Sequence, residues 1–307
     1  MNKKILIIGG TGFIGYHFAK KCIKESLDVT SISRSKPTKE RYLKKVKYVF
    51  VDITNKKKLY LKLGDSYDYI INFGGDVNHH GKKTFRSHHV GCKNLTEYFQ
   101  KKKIEKFIQI GSSVEYGKLK SPHKENKLEL KIKNMKSIYA KAKLKTSKYL
   151  LALNKKKKFP VTLFRIYLAY GPGQESNRII PFVIKNCLQN RDFPCSDGNQ
   201  FRDFIYITDV VDVLFKCLKQ KHSNGKIFNI CTGRPYNIKK LINLIKFKTK
   251  GGMPKFGSIK MRKDEIIKFF GSPNRAKKFF KWKPKIKLEE GLEKTIKYYA
   301  RSLKKRI

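Results

Sequence analysis

The chain has 307 residues, 40% of them hydrophobic and 12% aromatic, which is enough to bury a full core as one large α/β domain or two lobes. No apolar run approaches the ~18 residues that a membrane-crossing helix needs, so the expectation is a protein without a membrane partner. The formal charge of +49 would suit nucleic acid or an anionic surface. The lysines, however, are spread along the whole length without a nucleic-acid module, so we expect a solvated basic surface and no specific nucleic acid.

Met1-Asn2-Lys3-Lys4 and the apolar Ile5, Leu6, Ile7 and Ile8 mimic the start of a signal peptide, but the apolar stretch is short and runs into glycines, so it reads as a first strand. Directly after it stand Gly9-Gly10-Thr11-Gly12-Phe13-Ile14-Gly15, a G-x-x-G-x-x-G spacing between strand and helix. The amides at such a helix N-terminus can hold a pyrophosphate, so Gly9, Thr11, Gly12, Phe13, Ile14 and Gly15 are predicted to bind a dinucleotide. Further strands are predicted over 29–33, 48–51, 69–72, 107–110 and 161–166, with helical stretches between most of them. The pattern predicts an α/β fold with a doubly wound parallel sheet of the Rossmann type.

Farther along, Tyr139-Ala140-Lys141-Ala142-Lys143 places a phenol and an ammonium one helical turn apart on a shared face. The Lys143 charge would lower the Tyr139 pKa from about 10 toward working pH, making it a proton donor and acceptor. Beyond residue 166, Pro172, Pro181, Pro194, Pro235, Pro254, Pro273 and Pro284 punctuate shorter elements. The expected organisation is a dinucleotide-binding domain over 1–166 and a smaller, mainly substrate-binding C-terminal lobe over 167–307, interleaved with the first. Cys22, Cys92, Cys187, Cys195, Cys217 and Cys231 include no C-x-x-C pair, which suits reduced thiols and a cytoplasmic location. His79-His80 and His88-His89 lack an acid or cysteine at ligand spacing, so no metal is predicted.

These pieces fall in the order seen in extended short-chain dehydrogenases, the NAD(P)-dependent nucleotide-sugar epimerase/dehydratase family, which the chain resembles over nearly its whole length. Within that family the pattern looks nearest to 4-ketoreductases of the abequose-synthase type and to UDP-glucose 4-epimerase-like proteins. The resemblance implies that Asp52-Ile53 meets the adenine and that the turn Asn72-Phe73-Gly74-Gly75 runs along the cofactor. Phe107-Ile108-Gln109-Ile110-Gly111-Ser112-Ser113-Val114-Glu115-Tyr116-Gly117 resembles the strand and loop of the catalytic hydroxyl, which falls on Ser112, with Ser113 beside it toward the substrate. Arg165 through Tyr170-Gly171-Pro172-Gly173-Gln174 resembles the next strand and loop. Phe201-Arg202-Asp203-Phe204-Ile205-Tyr206-Ile207-Thr208-Asp209-Val210 resembles the substrate-side signature. By the same resemblance Ser112 and Tyr139 would bind the oxygen of the reacting sugar carbon and Lys143 the nicotinamide ribose, while Arg202 and Arg262 would grip the nucleotide diphosphate.

Departures from the family pattern sharpen this expectation. Where NAD-using members end strand two with an acid, this chain has Ser31-Ile32-Ser33-Arg34-Ser35, and Ser33 with Arg34 suits a 2′-phosphate. NADP is therefore favoured over NAD, and net reduction over recycling of bound NAD. The Asp-Glu pair of 4,6-dehydratases is replaced by Ser113 and Val114, an Asn after the Arg165 strand by Leu168, and an Asn-Val pair by His88-His89. The reading is an NADPH-dependent 4-ketoreductase of a nucleotide-linked deoxysugar for a surface polysaccharide. It would be a homodimer joined through the helices at 85–102 and 137–153. The alternatives are a 4-epimerase with bound NAD and, in another class, a noncatalytic nucleotide- or RNA-binding relative.

Overall fold

The computed structural model describes residues 2–64, 66–76, 81–125, 130–261 and 265–304. Its main sheet contains β1 (Lys4–Ile8), β2 (Asp28–Ser33), β3 (Val46–Phe50), β4 (Tyr69–Asn72), β5 (Lys106–Ser112) and β6 (Val161–Ile166). These pair in parallel in the order β6, β5, β4, β1, β2, β3, and the strand Ile227–Ile230 extends the sheet beyond β6 to seven strands. Ile5, Leu6, Ile7 and Ile8 are at most 2% exposed. A central parallel strand covered by helices on both faces has no solvent side, so it reads as a continuous apolar run.

The chain winds outward from β1 through β2 to β3 and then crosses back to place β4 on the other side of β1. That reversal opens a crevice at the carboxyl ends of β1 and β4, where a doubly wound sheet takes its ligand. The register puts Ile8 opposite both Ile32 and Asn72, so the turns after these strands share that edge.

The helices of the first half are α1 (Phe13–Lys24), α2 (Lys56–Lys62), α3 (Lys82–Phe85), α4 (Gly91–Phe99) and α5 (Ile138–Lys157) among the described residues. The regular helix expected over 85–102 is interrupted: Arg86–Val90 forms a π-helical turn between α3 and α4. A π turn fits an extra residue into each turn, and here it carries both His88 and His89 into the interior at 3% and 8% exposure. It also brings Gly91 against Ile53, whose Cδ1 would lie 2.6 Å from a Cβ at that position. Helix α5 starts where Ser137 Oγ accepts the Ala140 N–H at 3.1 Å, the expected cap. It runs past 153 to Lys157, because Lys155, Lys156 and Lys157 suit the negative end of the helix dipole. Strand β3 likewise begins at Val46 rather than 48.

Contacts divide the chain into two compact units, Met1–Gly117 with Glu125–Ile166 and Val211–Asn229, and Lys118–Lys124 with Tyr167–Val210 and Ile230–Ile307. The first holds the six strands β1 to β6. Within the second, the helices Ile179–Leu188, Ile238–Thr249 and Leu288–Lys304 pack with short two- and three-stranded pieces. Two buried acids pin that unit internally. Asp203 accepts the N–H groups of Thr232 and Gly233 and the Thr232 hydroxyl at 2.7 to 2.9 Å. Asp209 accepts the Lys285 and Ile286 N–H groups at 3.0 and 3.1 Å.

Candidate active site

The turn after β1 has the shape that its glycines predict. Gly9 has φ +79°, and a Cβ on Gly15 would lie 2.3 Å from the Gly9 carbonyl oxygen. Only glycine at 15 lets α1 start this close to the strand. Gly12 caps α1 without a side-chain bond, and its first turn holds no acid, so its amides and dipole suit an anion. Thr11 Oγ1 donates to Ser33 Oγ at 3.1 Å, joining this turn to the end of β2. Arg34 is exposed beyond it. The structure adds a residue that no motif singles out: Arg41 donates to the Thr11 carbonyl at 3.0 Å, bringing a second guanidinium to that corner.

Across the crevice, Asn72 Oδ1 accepts the Gly74 N–H at 2.9 Å while Asn72 Nδ2 donates to Gln109 Oε1 at 2.9 Å, a buried pair that shapes the turn Phe73-Gly74-Gly75. Asp52 is exposed and accepts the Thr54 N–H at 2.8 Å, and Asn94 Nδ2 holds the Ile53 carbonyl at 2.8 Å. Glycine is required again at Gly75, with φ +128°, because the His88 ring lies where a Cβ would go.

Ser112 ends β5, while Tyr139 and Lys143 lie one turn apart on α5. The Lys143 Nζ sits 5.6 Å from the Tyr139 ring centroid and donates to the Ile110 carbonyl at 2.8 Å. Burial pushes the Lys143 pKa down to about 8, against the opposing charge of Glu115. Tyr139 is half-buried, and the His88 ring meets it edge to face at 5.2 Å. Burial, with the nearby Lys143 charge, drives the His88 pKa down to about 2, so the imidazole is neutral. Its Nε2 donates to the Asp76 carbonyl at 2.9 Å. Ser113 is buried beside Ser112.

Glu115 is a further residue, one that sequence reasoning passed over although a signal for it stands in the chain. Ser112-Ser113-Val114-Glu115 has the spacing of a capping box, and the Glu115 carboxylate accepts the Ser112 N–H at 2.9 Å. Its other oxygen accepts from Ser147 Oγ at 2.8 Å and Arg165 Nε at 2.9 Å.

In the second unit Arg202 points its guanidinium at the Glu265 carboxylate and at the carbonyls of Phe201 and Ile266. Arg262, His79 and His80 lie outside the described residues. Among the described residues no group of three His, Cys, Asp or Glu could hold a metal ion, and no helix is long and apolar enough to cross a membrane. A concavity of about 920 Å³ lined by Tyr60, Tyr98, Lys101, Lys158 and neighbours lies at the amino-terminal edge of the sheet, away from these groups.

A parallel sheet with this strand order and a glycine turn at its switch point is a Rossmann-like α/β fold. The chain belongs to the NAD dependent epimerase/dehydratase family, whose model matches residues 5–231, and it is an enzyme of that family. It is 25% identical to CDP-abequose synthase of Salmonella muenchen over 96% of this chain and 98% of that one. It is 28% identical to dTDP-D-glucose 4,6-dehydratase of Homo sapiens, over 97% and 90%. The fold is that of the Thermotoga maritima UDP-glucose 4-epimerase crystallised with UDP-glucose, at TM-score 0.87, 24% identity, 98% of this chain and 99% of that one.

Proposed function

We propose that the protein is an NADPH-dependent 4-ketoreductase of a nucleotide-linked deoxysugar. The observation that carries this reading is the corner at the end of β2, where Ser33 bonds Thr11 of the glycine turn, Arg41 reaches the Thr11 carbonyl, and the strand ends in Ser31-Ile32-Ser33 followed by the exposed Arg34, with no acid at the strand end to receive a ribose diol. The cradle fits a dinucleotide: α1 offers a free N-terminus, and Gly9 and Gly15 leave the backbone bare where a pyrophosphate would lie. Gly12, Thr11, Phe13 and Ile14 would line the pyrophosphate, Asp52 and Ile53 the adenine, and Phe73, Gly74 and Gly75 the nicotinamide side. When bound, the reduced cofactor supplies hydride to the keto carbon.

The residues of the chain do the rest. Ser112 and Tyr139 hydrogen-bond the keto oxygen, and Tyr139 gives it the proton as the carbon is reduced. Lys143 holds the nicotinamide ribose and offsets the phenolate that remains. Ser113, Arg202 and Arg262 would contact the substrate, and Arg202 would have to exchange its Glu265 partner for the diphosphate. The substrate is a nucleotide-diphosphate sugar, and a cytoplasmic place in making a surface polysaccharide belongs to the same proposal. So does a homodimer through α4 and α5. There Lys93, Lys145 and Lys148 are exposed, so the dimer should tighten as salt rises, read by sedimentation.

The test is cofactor content and fluorescence titration of the purified protein. Empty protein that binds NADPH at least about tenfold tighter than NADH, a difference of about 1.4 kcal/mol, with the preference lost in Arg34→Ala, supports the reductase. NAD retained through purification and little response to NADPH points instead to a 4-epimerase.

A further inference from the structure

One buried carboxylate touches every element that carries a reacting group. Glu115 is fully buried, and its Oε1 accepts the Ser112 N–H at the end of β5. Its Oε2 accepts from Ser147, one turn beyond Lys143 on the same face of α5, and from Arg165 on β6. Lys143 closes the same circuit by bonding the Ile110 carbonyl, two residues before Ser112. The space is made for it: a Cβ at Gly111 would fall 2.4 Å from Glu115 Oε1.

We propose that Glu115 is the positioning residue of this site, its carboxylate fixing Ser112 against α5 and supplying the counter-charge of the buried Lys143 ammonium. This rests on Ser112, Tyr139 and Lys143 being the reacting set. A simple ion pair with Arg165 would use one oxygen and leave Ser112 and Ser147 to other partners. Arg165 also stacks on the Tyr116 ring at 4.6 Å. The charged and titratable groups facing Lys143 are Glu115 from the loop after β5, Cys92 from α4, neutral His88 from the π turn and Tyr139 on α5 itself. Glu115 is the one carboxylate in that set.

The consequence is a shift in Tyr139. Without Glu115, Lys143 gives up its proton at lower pH, the phenol loses its neighbouring cation, and its ionisation moves up. The experiment is ultraviolet difference titration of the full-length protein against Tyr139→Phe, both saturated with NADP⁺. It is run on wild type, Glu115→Gln, Glu115→Asp and the double variant Glu115→Gln with Arg165→Met. Glu115→Gln is expected to raise the Tyr139 midpoint by about one pH unit, a tenfold change, with NADP⁺ affinity kept. The double variant, which leaves no stranded guanidinium, is expected to keep the shift with its melting temperature restored, and Glu115→Asp to move part of the way. If Glu115→Gln does not fold, the double variant carries the test. An unmoved midpoint in a folded variant, or a shift that disappears in the double variant, overturns the proposal. A Tyr139 midpoint in the wild type that Lys143→Met leaves unchanged would instead sink the reacting set on which it rests.

Discussion

Lys143 donates through Nζ to the Ile110 carbonyl at 2.8 Å, two residues upstream of Ser112 on the same strand. That bond locks the helix that carries the phenol to the strand that carries the hydroxyl. It also places a cation in the interior, where burial holds its pKa near 8.

Replacing Lys143 with Met should therefore separate activity from stability. Turnover is expected to fall by at least about a hundredfold, the usual scale for losing a preorganised charge, while urea stability holds or rises because a buried ammonium is gone. The folded pKa lies below the unfolded value, so this lysine costs stability below about pH 8 and ceases to cost it as pH rises toward 10.5. Activity should correspondingly decline as pH climbs through 8. A variant that keeps turnover would remove Lys143 from the chemistry.

Gly15→Ala tests the cradle. Its methyl would meet the Gly9 carbonyl oxygen at 2.3 Å, whereas one on Gly12 would stand at 3.3 Å from the same atom. Overpacking of the first kind costs about 1–3 kcal/mol, and dinucleotide affinity should fall more than tenfold. Gly12→Ala should be milder on both counts. Melting curves and fluorescence titration read the two effects, and equal behaviour of both variants would argue against this geometry.

Arg41 should share cofactor discrimination with Arg34. Arg41→Ala is expected to weaken NADPH by about tenfold, or 1.4 kcal/mol, and to leave NADH within twofold, since NADH offers no 2′-phosphate. Equal losses for both cofactors would reduce Arg41 to a strut under the Thr11 carbonyl.

His88 gives the protein an acid limb. Its folded pKa of about 2 lies under the ordinary 6.5, so below pH 6.5 the unfolded chain takes up a proton that the folded chain refuses. Between pH 6.5 and 5 this should cost about 2 kcal/mol from His88, with His89, held near 4 by burial, adding to it. His88→Phe, which keeps a ring against Tyr139, should flatten the dependence. Urea midpoints at pH 7 and 5 check it, and an unchanged slope would mean the imidazole is reached by water.

The sequence alone determined the sheet and its first turn. A run such as Ile5 to Ile8 ending in glycines has few ways to be satisfied except as a covered parallel strand feeding a helix. A Tyr and Lys four apart on a helix share a face wherever that helix is placed. These are local constraints, set by periodicity and by glycine sterics. Tertiary structure decided what depends on distant partners: the π turn that buries His88 beside Tyr139, and Arg41 reaching back to Thr11. It also decided that the carboxylate of Glu115 would be shared among the Ser112 N–H, Ser147 and Arg165. Asp203 and Asp209, which belong to a signature expected on the substrate side, turn out to hold backbone N–H groups. No spacing announces such roles, because a buried polar group finds its partner through the fold rather than along the chain.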